Sequence, residues 1–337
     1  MTDAPTPVAA RRVTPTAVRL LPADAPRDTW LTARRNGIGS SDVAAILGVA
    51  DHNTAVHVYR DKRGDLVDDA GEAALWGNLL EEPVAREWAR RQRSVIQRVG
   101  LVAHVDQPWR MATLDRRVAE CPMNREVRTA CALEVKCRSA FKASRWRSDI
   151  PDDVLAQCTW QMAVTGYDHI HVAVLLGGNE LKMTVAHRDE AMERYVLREV
   201  DRFRTEHLLA GVEPDWDLNR AAALIEMDAL MHPDRVGEIS LDEVGEVMEY
   251  AELSARKGAA DRALKRTRAT LARLAAGARS VKFGDQLAYT FDPVTKRTTD
   301  LDRLREQWPQ AYADCVTEKT HHQIRISPEF RRTGEFE

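Results

Sequence analysis

The chain lacks any stretch approaching the roughly 18 consecutive apolar residues that cross a bilayer, so no membrane-spanning helix is predicted in its 337 residues. It lacks a secretion signal as well. Residues 1–25 carry Pro5, Pro7, Pro15 and Pro22 with scattered arginines and no apolar block, which reads as a disordered leader. Five cysteines, Cys121, Cys131, Cys137, Cys158 and Cys315, contain no CxxC pair. That argues against a disulfide framework and for reduced thiols in a cytoplasmic protein. Internal repeats are missing, and so is the overall positive charge of a general nucleic-acid coat, because the net charge is −3.

What is present is an ordinary globular composition, 44% hydrophobic and 30% charged, with charge distributed unevenly. Between Arg86 and Arg147 there are 15 Lys and Arg against 6 Asp and Glu. Between Arg256 and Lys282 there are nine basic residues and one acidic residue, Asp261. Local fields of this kind attract phosphate backbones even when the total charge is negative, although solvated charged faces have the same composition.

Hydrophobic spacing predicts an ordered series of elements. Trp30 to Leu47 reads as a short helix, a Gly37-Ile38-Gly39-Ser40-Ser41 turn and a helix starting near Asp42, capped by Ser41 or Asp42. Leu75 to Arg93 is a helix with Trp76, Leu80, Val84 and Trp88 on one stripe. Extended segments follow at Gly100–Val105, Trp109–Val118 and Cys131–Cys137, then a helix from Pro151 to Gly166. Two apolar strands, His169–Leu176 and Leu181–His187, are joined by a Gly177-Gly178-Asn179 turn, and a helix from Glu190 to Leu209 completes the block. This order predicts an α/β domain with a mixed central sheet flanked by helices over residues 26–217. Residues 218–337 change character and are expected to form a C-terminal helical stretch with a small α+β module. Ser240-Leu241-Asp242-Glu243 opens that stretch as a capping box, giving either one long helix to Ala276 or a hairpin turning near Gly258.

The chemistry centres on Asp115 and on Glu134-Val135-Lys136 in the next extended segment. Alternation along a strand puts Glu134 and Lys136 on one face and turns Val135 to the core. Two carboxylates on neighbouring strands make a hard-oxygen site suited to magnesium or manganese, and a lysine beside them can position water and balance charge at a phosphate. At 100° per residue, Glu81 falls about 80° from the centre of its helix's apolar stripe, at the edge of the buried face, and Glu82 on the solvent side. Gln157 and Gln161 share a face of the following helix, so one of them is placed to touch the site.

Five motifs occur in order: Gly37-Ile38-Gly39-Ser40-Ser41-Asp42, Trp76-Gly77-Asn78-Leu79-Leu80-Glu81, Ala112-Thr113-Leu114-Asp115-Arg116, Leu133-Glu134-Val135-Lys136, and Gln157-(x)3-Gln161-Met162-Ala163-Val164-Thr165-Gly166. As an ordered set they resemble the YqaJ-like viral recombinase family of the PD-(D/E)xK nucleases, to which the lambda exonuclease is related, over roughly Trp30 to Pro214.

The resemblance implies a PD-(D/E)xK core in which Asp115, Glu134 and the Val135 carbonyl hold Mg2+ (Mn2+ as substitute), Lys136 is the water-positioning base and Glu81 lies near a second metal position. It implies a site role for Gln157, and it matches Arg34 and Ser41 to a pair that grips a terminal 5′ phosphate. The implied activity is 5′-to-3′ exonuclease digestion of double-stranded DNA ends, leaving 3′ single strands for an annealing partner in phage-type recombination. By analogy with the lambda enzyme the protein forms a ring trimer, acting in the bacterial host cytoplasm from a phage or prophage gene. Two departures stand out: Leu114 replaces a frequent proline, and the long interval from Asp115 to Glu134 predicts an extended hairpin loop at the DNA channel. The alternatives are an endonuclease of the same fold, in restriction or repair, and a non-catalytic DNA-binding scaffold.

Overall fold

The computed structural model describes residues 12–66, 71–123, 130–147, 149–232, 234–295, 298, 300–316 and 323–331. The chain divides into two compact units, Met1–Pro233 and Asp234–Glu337.

In the first unit the elements run β1 (Ala17–Leu21), α1 (Arg27–Arg35), α2 (Ser40–Ile46), α3 (Ala55–Arg63), α4 (Glu72–Gln92), β2 (Ile96–Gln97), β3 (Gly100–His104), β4 (Met111–Leu114), β5 (Arg116–Val118), β6 (Cys131–Arg138), α5 (Asp152–Thr165), β7 (His169–Leu176), β8 (Glu180–His187), α6 (Glu190–Phe203) and α7 (Ala221–Met231). A five-stranded sheet has the order β2-β5-β6-β7-β8, and a three-stranded sheet the order β1-β3-β4. The larger sheet is mixed: β6 and β7 run parallel, and its other pairs are antiparallel. This is the expected α/β arrangement with helices on both faces. The parallel pair needs a crossover, and α5 supplies it.

Helix α5 lies on one face of the larger sheet, where Val154, Cys158 and Met162 pack with Ala132, Ile170, Val172 and Val174. Helix α4 covers the other face, with Val84, Ala85 and Trp88 against Leu133, Val135 and Ala173. Along β6 the even-numbered side chains therefore face α5 and the odd-numbered ones α4, the period-2 alternation of a strand buried on both sides.

Several expectations change. Residues 1–11 of the expected leader lie outside the described residues, but Ala17–Leu21, within it, forms β1 and pairs with β3. Ala17 is fully buried there, so strand pairing overrides the proline-rich local composition. The boundary falls at 233/234 rather than 217/218, because Leu224 and Met227 of α7 pack on Val56 of α3. The predicted apolar stripe of α4 is buried only at Val84 and Trp88, while Trp76 is exposed. The expected loop between Asp115 and Glu134 lies partly outside the described residues, at 124–129.

In the second unit, Gly245–Ala275 is one 31-residue helix (α8), which settles the choice between a helix and a hairpin. Gly258 is tolerated inside it at a cost of about 1 kcal/mol. A hairpin of β9 (Ser280–Phe283) and β10 (Gln286–Thr290) follows, then α9 (Leu301–Gln307) and α10 (Pro309–Cys315). The strand expected around Gln323–Ile326 does not form.

Candidate active site

Asp115 is not inside a strand. It stands at the bend where the chain leaves β4, paired to β3, and enters β5, paired to β6. The β5–β6 pairing ends at Arg116 and Leu133, and the Val135 N–H beyond it is left facing Asp115. The Asp115 carboxylate accepts that N–H through Oδ2 at 2.6 Å, satisfying a donor the ladder leaves over.

Glu134 points to the α5 side of β6 and is 1% exposed. Both of its oxygens are occupied. Oε1 accepts from Lys136 Nζ at 2.5 Å and from Gln157 Nε2 at 2.7 Å, and Oε2 accepts from Gln161 Nε2 at 2.7 Å. Lys136 Nζ also donates to Gln157 Oε1 at 2.7 Å. Both glutamines of the α5 face therefore reach the carboxylate, one turn apart as their spacing requires.

Burial pushes the Asp115 carboxyl well above the usual carboxylate range, and the Glu134 charge adds to it, against the pull of Lys136 and the Val135 N–H. Burial alone would lower the Lys136 ammonium, but Glu134 and Asp115 more than offset it and leave its pKa raised. Two close carboxylates share one lysine, so a negative charge is incompletely balanced at this spot. A divalent cation with oxygen preference fits such a donor set. Asp115, Glu134, Val135 and Glu81 line the same cavity and are the residues that would hold it.

That cavity, of about 430 Å³, is also lined by Lys136, Gln157, Arg34 and Ser41, so every sequence-predicted site residue borders one space. The helix-phase reading of α4 needs correction. Glu81 and Glu82 both turn to Arg116, which donates from Nη1 to Glu81 Oε1 and from Nη2 to Glu82 Oε2, each at 2.5 Å. Arg116 is 3% exposed and also donates to the Asp115 carbonyl. Glu82 therefore reaches a buried cation while staying more exposed than Glu81, 36% against 29%, and it also accepts from the exposed Arg86.

Arg34 is not a free cation. Its Nη2 pairs with Asp42 Oδ1 at 2.9 Å, and its guanidinium lies over the Trp30 ring at 5.2 Å. Lys62, whose side chain is 3% exposed, donates to Asp42 Oδ2 at 2.6 Å. Desolvation opposes the Asp42 charge, but Lys62 and Arg34 prevail and lower its pKa. Gly39, not Ser41 or Asp42, is the N-cap of α2, and its N–H donates to Asp42 Oδ2 at 2.8 Å. Ser40 is buried with no partner for its hydroxyl among the described residues, whereas Ser41 is exposed beside it. Gly37 explains the start of the motif. A Cβ there would meet the Trp109 carbonyl at 2.3 Å, where Ile38 N–H must reach the same oxygen at 2.8 Å to seat the turn on β4.

Sequence reasoning missed Arg116 and Lys62 as parts of this site, and it left Gln161 as an alternative to Gln157. Lys62 sits in Arg60-Asp61-Lys62-Arg63, which reads as a solvated helix face. Only the meeting of α2 with α3 buries it.

Residues 29–168 match the family described as YqaJ-like viral recombinase domain. A curated relative, the uncharacterized protein YqaJ of Bacillus subtilis (strain 168), is 26% identical over 316 residues, 91% of this chain and 93% of its own. That similarity extends through the second unit. Among solved structures, an alkaline exonuclease from Laribacter hongkongensis is similar at 21% identity and a TM-score of 0.46, over 58% of this chain and 98% of that one. A phage-related exonuclease from Haemophilus somnus 129PT is similar at 10% identity and a TM-score of 0.41, over 52% and 96%. The span that matches the YqaJ-like viral recombinase domain, residues 29–168, contains Arg34, Ser41, Glu81, Asp115, Glu134, Lys136 and Gln157.

Proposed function

We propose that the chain is a Mg2+-dependent DNA exonuclease, with Mn2+ able to substitute, that works 5′ to 3′ on double-stranded ends. The 3′ single strands it leaves would pass to a single-strand annealing protein. The YqaJ-like domain supports a nuclease of phage-type recombination. Polarity and end preference are our reading. The observation that carries it is the shared cavity: Asp115, Glu134 and Lys136 lie in one space with Arg34 and Ser41. On this reading a hydrolytic centre would sit beside an anchor for a terminal phosphate.

An ion held by Asp115, Glu134, Glu81 and the Val135 carbonyl would supply Lewis-acid polarisation of the phosphodiester and an acidified water. The chain's own groups do the rest. Gln157 and Gln161 orient the Glu134 carboxylate, and Lys136 presents a cationic donor between Glu134 and Gln157. In the ion-free state its raised pKa keeps Lys136 protonated, so it acts first as a charge-balancing donor. Arg34, already stacked and paired, is a pre-oriented fork for a phosphate oxygen. Following the same resemblance, the protein would act in the bacterial cytoplasm as a homo-oligomer, a ring trimer by analogy.

Digestion of linear and covalently closed DNA of one sequence, with and without Mg2+, tests the reading. Loss of the linear form alone, and only with the ion, is expected. Equal cleavage of closed circles would favour the endonuclease. Retention on DNA without cleavage, with Mg2+ present, would favour the scaffold.

A further inference from the structure

On the opposite face of the sheet from Glu134 lies a second group of ligating side chains. Cys121, Cys131, His169 and His171 bring one donor atom each to within 4.8 Å of one another. Cys121 Sγ is 3.1 Å from His169 Nε2 and 3.6 Å from His171 Nε2. Both thiols are fully buried and His171 is 4% exposed.

Strand alternation builds the group. His169 and His171 are two apart on β7, so they share a face, and Cys131 starts the neighbouring strand β6 next to His169 in register. Cys121 joins them from just beyond β5. The surroundings are apolar: Val84, Trp88, Val118 and Leu133 belong to the same cluster as the two cysteines. His171 packs against Trp88 with ring centroids 5.0 Å apart, and His169 meets it edge-on at 5.1 Å. In this apolar pocket Cys121 Sγ lies within hydrogen-bonding distance of both imidazoles, the mutual approach that a shared ion would also produce.

We infer that Cys121, Cys131, His169 and His171 form a structural zinc site, separate from the nuclease centre. A tetrahedral ion with Zn–S near 2.3 Å and Zn–N near 2.0–2.1 Å holds its donors about 3.3–3.8 Å apart. The Cys121–His171 separation of 3.6 Å lies within that range, and the Cys121–His169 separation of 3.1 Å falls just below it. The two-sulfur, two-nitrogen set selects zinc over magnesium or manganese, which prefer oxygen. The ion would tie the end of the β5 strand region and the start of β6 to β7. Asp115 and Glu134 flank this same connection, so zinc would fasten the frame that carries them. The cysteine spacing concealed the site, since the set is completed by histidines from a strand that pairs only in the fold.

Elemental analysis of the full-length protein, purified under reducing conditions without chelators, tests this inference. About one zinc per chain is expected in the wild type and equally in the Asp115→Ala/Glu134→Ala double variant. The Cys131→Ser/His171→Asn double variant should lose it. Because that variant can fail to fold, cobalt substitution of the wild type provides a second readout. Intense tetrahedral d–d bands with thiolate-to-cobalt charge transfer are expected. A wild type that takes up no zinc when it is supplied, an octahedral cobalt spectrum without charge transfer, or a Cys121–Cys131 disulfide in the reduced preparation would each overturn the proposal.

Discussion

Arg116 holds Glu82 in a 2.5 Å ion pair, although Glu82 occupies the helix position that a wheel assigns to solvent. The same guanidinium holds Glu81, so adjacent carboxylates converge on one buried charge beside Asp115. Replacing Glu82 with Ala leaves Arg116 paired with Glu81 alone. We expect a loss of about 1–2 kcal/mol in stability, the scale for a weakened charged hydrogen bond at a partly buried site. Chemical denaturation measures it, and a change within about 0.3 kcal/mol would return Glu82 to the solvent side.

Asp115 is buried at a cost to its charged form. Its carboxyl titrates above its unfolded value, so ionisation costs folding free energy as pH rises from about 3.8 upward. Without divalent ions, Asp115→Asn should therefore melt higher than the wild type at pH 7, with the gap closing toward pH 4. Nuclease activity should fall by about 100-fold or more. Adding Mg2+ should raise the wild-type midpoint and leave that of the variant in place. A variant less stable than the wild type at pH 7 in EDTA would refute the electrostatic reading.

Gln161 is fully buried and bonds Glu134 Oε2, so it positions the carboxylate. Gln161→Leu should lower kcat by about 10–100-fold, the scale for losing a partner that orients a metal ligand. It should also raise the Mg2+ concentration giving half-maximal rate. A lower kcat with an unchanged Mg2+ requirement would indicate a packing role only.

Arg34 and Ser41 carry the end-selectivity proposal. Linear DNA with 5′ phosphates should be digested faster than the dephosphorylated form, and Arg34→Ala should narrow the gap. Because Arg34 also neutralises Asp42, folding of the variant must be checked by its melting profile. Ser41, exposed and outside that ion pair, gives the cleaner variant in Ser41→Ala. Equal wild-type rates on both substrates would end the clamp proposal.

The second unit can be removed at its compact boundary. A truncation after 217 would strip Leu224 and Met227 from Val56, whereas one after 233 leaves that cluster intact. If the basic half of α8 holds DNA, the 1–233 protein should digest shorter tracts per binding event. Its affinity should then depend less steeply on salt, since every phosphate no longer neutralised by a Lys or Arg takes about 0.9 off the log–log slope. An unchanged tract length and slope would assign the unit another role.

Residues whose roles depend on local periodicity were readable in the sequence. Glu134 and Lys136 on one face, Gln157 and Gln161 one turn apart, and the β7–β8 hairpin with its glycine turn all follow from spacings of two or four residues. The ordered motifs located the cavity's lining because each carries a polar residue that borders it: Ser41 in the first turn of α2, Glu81 in α4, Asp115 at the β4–β5 bend, Glu134 in β6 and Gln157 in α5.

Long-range pairing decided the remainder. Whether Asp115 sits in a strand or at the bend between two sheets depends on which strands claim its neighbours, and β3 and β6 lie far from it in either direction. The orientation of Glu82 depends on Arg116, 34 residues away, and the burial of Lys62 depends on Asp42. Cys121 and Cys131 read as ordinary buried thiols until β7 brings His169 and His171 beside them. The sequence by itself determined the strand alternation, the one-turn spacing of Gln157 and Gln161 and the supply of carboxylates, because these follow from covalent geometry and repeat with the backbone period. The tertiary structure alone decided which charges are buried together, because desolvation and pairing energies belong to contacts between elements, and no spacing along the chain encodes them.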